Sequence, residues 1–276
     1  NLHSGQKNPV FNILNHVVGY QYKEFHLVLA SNPENGLKGD GYIHHLNTGA
    51  ILLDTITWNI RHQDEGVSMM GKVKNGPKNK VACFESTINA NLTSNGAAAH
   101  LLFLDAKGLK GIDLGLQADV TPEALTVHFK PLNPVIAYRN FKLNPDNYIR
   151  LIKGNKVNAL IDLLADDGTG LKLYSTDNEE AQQDLSLSVN RLNLGELSSV
   201  IPFMPMIEGF LHGDLHYMQA DSTITISTDM TVRGMKYEGT GMGDIGMNLI
   251  YLPNADGSHY VDGIVTQNER DIAYIS

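Results

Sequence analysis

His212, Asp214 and His216 recur at every second residue, so a strand would present them on one face as a row of metal ligands. A metal centre would still need a further ligand, and none is identifiable. Leu211, Leu215 and Tyr217 fill the alternate positions, so the row also reads simply as the wet side of a strand. His44 and His45 are adjacent and would point to opposite faces. Gly241, Gly243 and Gly246 match the spacing of a dinucleotide-binding turn, which requires a strand before it and a helix after it. Here Ile245–Tyr251 alternates as a strand, so close turn packing is the better expectation. Asn254-Ala-Asp256-Gly257, Asp262-Gly263 and Asp166-Asp167-Gly168 hint at calcium loops, but the ligand spacing is not met and hairpin turns account for them. Cys83 is the only cysteine, so it forms neither an internal disulfide nor a thiolate cage. Its neighbours Ala82 and Phe84 predict ordinary burial. The sequence holds no nucleophile elbow, His-Glu-x-x-His pair or Walker loop. Its carboxylates are scattered, with no pair marked as acid and base. A non-enzymatic chain with no cofactor and no metal is expected.

The elements that carry these residues follow from patterning. The chain has 276 residues, 42% of them apolar and 18% charged, with a net charge of −9. That apolar content excludes a disordered chain, and the acidic balance argues against a nucleic-acid partner. No run approaches the ~20 apolar residues of a spanning helix. A chain that opens at Asn1, with no basic or apolar leader, reads as a mature product or a piece of something longer.

Period-two alternation dominates. Leu52, Ile56, Trp58 and Ile60 face Thr55, Thr57 and Asn59; Phe84, Ile88, Ala90 and Leu92 face Glu85, Thr87, Asn89 and Asn91. Ile112, Leu114, Leu116, Ala118 and Val120 continue the pattern, followed by Leu125, Val127 and Phe129. It returns in Val157–Ala165, Leu171–Leu173, Leu185–Val189 and Leu211–Tyr217, in Ile224, Ile226, Met230 and Val232, and in Ile245, Met247, Leu249 and Tyr251. Tight-turn dipeptides punctuate these runs: Asn35-Gly36, Asp40-Gly41, Asn75-Gly76, Asn95-Gly96, Asp167-Gly168, Asp256-Gly257 and Asp262-Gly263. Helical signals are few. Asn8-Pro9 with Phe11, Leu14 and Val18 predicts one helix, Asn144-Pro145-Asp146 a short turn through Tyr148 to Leu151, and Leu194–Ile201 two turns stopped by Pro202 and Pro205.

The expected fold is all-β: an elongated, curved antiparallel sheet of successive hairpins, with an apolar concave face and one or two short helices. Residues 1–276 form one section, with the option of a sub-boundary near 141–145. A transmembrane barrel wants aromatic girdles, and 7% aromatic residues is thin for that. A compact sandwich would serve with about half as many strands. The side chains expected to line the apolar groove are Ile56, Trp58, Ile60, Ile88, Leu114, Leu116, Ile161, Leu163, Ile224, Ile226, Met230, Met247 and Leu249. Trp58 could touch a lipid chain or anchor a core under the helix near Asn8. Met204, Met206, Met230, Met235, Met242 and Met247 cluster late, which suits either adaptable apolar contact or core packing.

Several motifs share a cadence of strand, small-residue turn and hydrophobe-Gly-x-hydrophobe strand. They are Phe141-Lys-Leu-Asn-Pro-Asp-Asn-Tyr-Ile-Arg-Leu151, Val157-Asn-Ala-Leu-Ile-Asp-Leu163 with Asp166-Asp-Gly168, and Leu192-Asn-Leu-Gly-Glu-Leu197. Pro202-Phe-Met-Pro-Met-Ile-Glu-Gly209, Leu211-His-Gly-Asp-Leu215, Thr231-Val-Arg-Gly-Met-Lys-Tyr237 and Met242-Gly-Asp-Ile-Gly246 complete the set. From about Phe141 onward the chain resembles the TamB and AsmA-like proteins of the Gram-negative envelope. The resemblance implies an internal or C-terminal section of a long periplasmic protein, anchored to the inner membrane by a segment outside this chain. It implies a β-taco, a sheet folded lengthwise into an open trough. That trough would conduct phospholipid acyl chains towards the outer membrane or shelter strands of outer-membrane proteins during assembly, with a TamA-type barrel as partner of the full-length protein. The rivals are a closed β-sandwich acting as a surface adhesin or glycan-binding module, and an inert structural spacer.

Overall fold

Alternating strands joined by short turns can satisfy their backbone groups only by pairing with a neighbour, and two-residue turns make that neighbour the next strand in sequence. The computed structural model of the chain describes residues 2–5, 19–32, 36–49, 51–63, 66–79, 83–154, 156–176, 178, 181–201, 204–221, 223–253 and 258–276. It divides into two units, Asn1–Asp119 and Val120–Ser276; the segment 141–145 lies within the second.

In the first unit the strands run β1 (Leu2–Gly5), β2 (Glu24–Asn32), β3 (Gly36–Asn47), β4 (Leu52–Gln63), β5 (Gly66–Lys74), β6 (Phe84–Thr93), β7 (Gly96–Asp105) and β8 (Lys110–Val120). Each pairs antiparallel with the next. The second unit holds β9 (Ala124–Ile136), β10 (Arg139–Asn140), β11 (Lys142–Leu143), β12 (Tyr148–Ile152), β13 (Lys156–Leu164), β14 (Gly170–Ser175) and β15 (Gln183–Asn193). Helix α1 (Leu194–Val200) follows, then β16 (Ile207–Ala220), β17 (Thr223–Tyr237), β18 (Thr240–Pro253), β19 (His259–Gln267) and β20 (Arg270–Ile275). Strand β12 joins β9 to β13, while the short β10 and β11 extend β9 and β13 at their ends. From β13 to β20 every strand again pairs with its successor. The fold is therefore all-β and antiparallel, as the alternation predicts.

Where a ladder ends, side-chain amides take over the role of a strand. Asn147 accepts from the Phe129 amide (2.7 Å) and donates to the Phe129 carbonyl (3.2 Å). Gln183 does the same to Val157, at 2.6 Å for both bonds. Asn75 accepts from Asp54 N and donates to Leu52 O, and Asn144 accepts from Asp162 N and donates to Leu160 O. Asn75, Asn147 and Gln183 are buried, where an unpaired amide would be costly. Helix α1 starts where Asn193 Oδ1 accepts from Gly195 N (3.0 Å) and Glu196 N (3.2 Å), an N-cap that satisfies two of the orphan donors. It stops at Val200, and Ile201, which precedes Pro202, is extended.

Three local expectations change. Asp40-Gly41 and Asp262-Gly263 are not turns; they lie inside β3 and β19. Their glycines make room for side chains of the neighbouring strand. A Cβ added at Gly41 would land in the Trp58 indole, and one at Gly263 would lie 2.9 Å from Leu249 Cδ1. Asn144-Pro145-Asp146 does form a turn, closed by Asn147 N donating to Asn144 O, but the chain leaves it as strand β12. The helix expected near Asn8 and the Asn254–Gly257 turn lie outside the described residues, as does Asn35.

Candidate functional site: an apolar face in each unit

Directly paired residues of antiparallel strands share a face, so the register decides which alternating runs are brought together. In the first unit Phe25 pairs with Ile43, Ile43 with Ile56, and Ile56 with Val73. The neighbouring rows are Gly41–Trp58–Gly71–Ile88–Leu101–Leu114 and Gly39–Ile60–Met69–Ala90–Ala99–Leu116. Ile56, Trp58, Ile60, Ile88, Leu114 and Leu116 thus stand on one face, joined without interruption from β4 to β8. The opposite face carries the alternate rows, Tyr42–Thr57–Lys72–Thr87–Leu102–Asp113 and Asp40–Asn59–Met70–Asn89–His100, mostly polar with Met70 and Leu102 among them.

The second unit repeats the arrangement. Ile161 pairs with Leu173, Leu173 with Leu187, and Leu187 with Leu215. Leu163–Leu171–Val189–Gly213–Met230–Met247–Val265 is a parallel row, and Tyr217–Ile226–Tyr251–Val261 another. Ile161, Leu163, Ile224, Ile226, Met230, Met247 and Leu249 share this face. Thr228, inside the field between Leu215 and Leu249, is buried and donates its hydroxyl to Asp214 O (3.1 Å). Its methyl therefore remains on the apolar side at no unpaired polar cost.

Large parts of both faces are open. Ile88 is 43% exposed, Met69 41%, Leu92 54% and Leu116 38% in the first unit; Met247 is 40% and Ile224 36% exposed in the second. Ile56, Trp58, Ile60, Leu114, Leu163, Ile226, Met230 and Leu249 are half-buried. Ile161 alone among the expected residues is buried; it belongs to sealed core. Sequence reading passed over Phe25, Leu27 and Leu29 of β2, although they alternate with Glu24, His26 and Val28. Met69 and Val73 were also missed, because Gly71 interrupts the apolar count of β5 between them. Towards the last strands the alternation weakens: Ile250, Leu252, Tyr260 and Tyr274 are exposed on the second face.

Trp58 leans over Gly41 and lies 6.1 Å from the Phe25 ring. Met230 and Met247 are direct cross-strand partners, so part of the late methionine cluster is a pair on the apolar face; Met206, 64% exposed, stands elsewhere.

The polar faces are organised by charge pairs. Arg61 binds Asp40 (2.8 Å), Lys72 binds Glu85 (2.6 Å), and Asp113 receives both Lys110 (2.6 Å) and His100 (2.7 Å). Lys110 first, then His100, holds the Asp113 carboxyl below its ordinary pKa. His212, Asp214 and His216 do share the polar face of β16, but they do not converge. His216 Nε2 is engaged with Asp184 (2.9 Å). Burial, followed by the positive charges of Arg233 and Arg191, pushes the His212 pKa down. Among the described residues no three His, Cys, Asp or Glu side chains are grouped to hold a metal. Gly241, Gly243 and Gly246 all lie in β18, so the strand–helix context of a dinucleotide site is missing. Cys83 is half-buried with its thiol 3.5 Å from Asn75 O.

No protein-family model, no curated protein and no solved structure matches the chain.

Proposed function

We propose that the chain is a non-enzymatic section of a TamB/AsmA-like bridge in the Gram-negative periplasm, whose apolar sheet faces carry phospholipid acyl chains. The observation that supports this most is the pairing of two properties: rows in which apolar side chains and small residues follow one another across several strands, and the open state of many of those side chains. Leaving such a surface in water is unfavourable by roughly 25 cal/mol per Å², and soluble proteins rarely keep extended apolar patches without a use. A continuous lane without directional polar groups fits a guest that must slide rather than be recognised. Strands of outer-membrane proteins would meet the same chemistry and are an outcome of the test. A two-sheet sandwich fits less well, because within each unit the described strands pair into a single ladder.

The test is native mass spectrometry with organic extraction on protein purified without detergent. Co-purified phospholipid is expected from the unaltered chain and not from Ile88→Asp/Leu92→Asp or Ile224→Asp/Met247→Asp. All four positions are more than one-third exposed, so each charge can stay solvated in the fold. Trp58 is the only tryptophan, and bromine-labelled acyl chains should quench it. A lipid-free mass with no quenching refutes lipid carriage; protection of an unfolded barrel protein by such lipid-free material would transfer the reading to the protein client.

A further inference from the structure

A recess of about 770 Å³ opens in the second unit between α1 and the paired ends of β16 and β17. Its walls include Tyr138, Met206, Phe210, Glu208, Arg233 and Lys236. The volume falls within the range of small-molecule sites. A bulge shapes it: the register shifts between Glu208 and Phe210, where Gly209 has a positive φ and a Cβ added to it would come within 2.8 Å of Val232 Cγ1.

The charges around the recess are almost all spoken for. Glu196 is held by Arg139 (3.0 Å) and Glu208 by Lys236 (2.8 Å). Glu238 accepts from Met206 N (3.0 Å) and Asp244 from Gly234 N (2.7 Å). Arg233 is exposed and, among the described residues, forms no ion pair, in a chain whose net charge is −9. It pairs across the ladder with Phe210, 43% exposed, and both border the same recess as Met206, 64% exposed. The depressed His212 pKa, caused first by burial and next by Arg233 and Arg191, reports the same surplus of positive charge from the neighbouring position.

The other polar groups of the wall are already used. Ser198 donates between Gly195 O and Ile207 O, Ser199 donates to Glu196 O, and Asn193 caps the helix. A peptide would bring backbone amides with no partners there; a ligand with one charge and an otherwise apolar body would not. We infer that the recess binds an amphiphile with a single anionic head, phosphate or carboxylate, paired with Arg233, its chain resting on Phe210 and Met206. This site is separate from the apolar faces of the proposed function.

Calorimetric titration of the whole chain with dodecyl phosphate and dodecanoate, below their micelle concentrations, tests it. One equivalent should bind. Arg233→Gln should weaken binding about ten- to a hundredfold, the worth of one charge-assisted contact, while Arg233→Lys should retain most of it. Phe210→Ser should weaken it as well. Inorganic phosphate and dodecyl maltoside should bind at least about tenfold more weakly than dodecyl phosphate, because each offers only half of the recognition. The Ile224→Asp/Met247→Asp variant should keep the site even though it loses lipid carriage on the face. Equal binding of dodecyl maltoside, an unchanged Arg233→Gln, or loss of the site in the Ile224→Asp/Met247→Asp variant would each overturn the inference. Absence of binding to the unaltered chain would do so too.

Discussion

Gly41→Ala should be far more disruptive than one methyl in the middle of a strand has any right to be. The backbone at Gly41 is not in a left-handed conformation, so alanine fits its dihedrals and should gain about 0.4–1 kcal/mol by stiffening the unfolded chain. Against that stands the indole of Trp58, which occupies the space where the new Cβ would sit. The ring cannot simply slide across its strand. Phe25 lies 6.1 Å away on one side, and on the other Gly71 is already closed over by Ile88, whose Cγ2 would be 3.0 Å from a Cβ there. Overpacking of this kind costs about 1–3 kcal/mol, which leaves a net loss of up to about 2.6 kcal/mol, centred near 1 kcal/mol. Urea unfolding followed by circular dichroism measures the loss, and the emission of the single tryptophan should move to the red as the indole is lifted towards water. The decisive arm is a double-mutant cycle. In a Trp58→Ala background Gly41→Ala should be neutral or stabilising, giving a coupling of about 1 kcal/mol or more. If it costs the same in both backgrounds, the indole is not what forbids a side chain at Gly41.

Other perturbations follow from polar contacts. Arg139 ties the Asp167 turn and Thr169 to Glu196 on α1; Arg139→Ala should cost about 1–3 kcal/mol and speed hydrogen exchange selectively in 194–200. Asn147→Ala orphans Phe129 N and O in a buried site and should cost about 2–4 kcal/mol, seen as a lowered Tm. The pKa of His212 is below its unfolded value, so the unfolded chain takes up the proton first and stability falls as pH drops from about 7 through the imidazole range. His212→Asn should flatten that part of the stability–pH curve, and an unchanged slope would contradict the burial and Arg233 effect. For Asp113 the sign is the same and the cause the reverse, since Lys110 and His100 favour its charged form: the stability it adds is present above the ordinary carboxylate range and is lost as pH falls through the folded value. Asp113→Asn should therefore remove stability at pH 7, and the difference from the unaltered chain should shrink as pH falls below the ordinary carboxylate range.

The two faces of the strands were legible because side-chain direction has period two and hairpins leave little freedom of register. Ile56, Trp58 and Ile60 needed no partner strand to be placed on one side. Their degree of exposure was not legible, since Ile161 and Ile88 look alike in sequence and differ only in what surrounds them. Asp40-Gly41 misled for a related reason. The dipeptide suits a turn locally, but the glycine serves Trp58 on the next strand, and nothing local reports that. The amide patches of Asn147 and Gln183 and the Arg139 cluster depend on residues far away in sequence. The Arg233 recess depends on a bulge at Gly209, which alternation alone would have smoothed over.

The strand order has a kinetic meaning. In each unit nearly every strand touches only its sequence neighbours, with the small detour of β10 and β11. Chain closure is then always short, so contact order is low and folding can zip outward from any hairpin that forms first. The same property makes stability local: it is carried by strand terms and nearest-neighbour terms, as in a one-dimensional array, so cooperativity rests on the coupling between adjacent strands. Hydrogen exchange should accordingly reveal a gradient, fastest at β20, which is exposed throughout its length and pairs with β19, and slowest at β16 and β17, each paired on both sides. An architecture of this kind can lose or gain a hairpin without rewiring the rest.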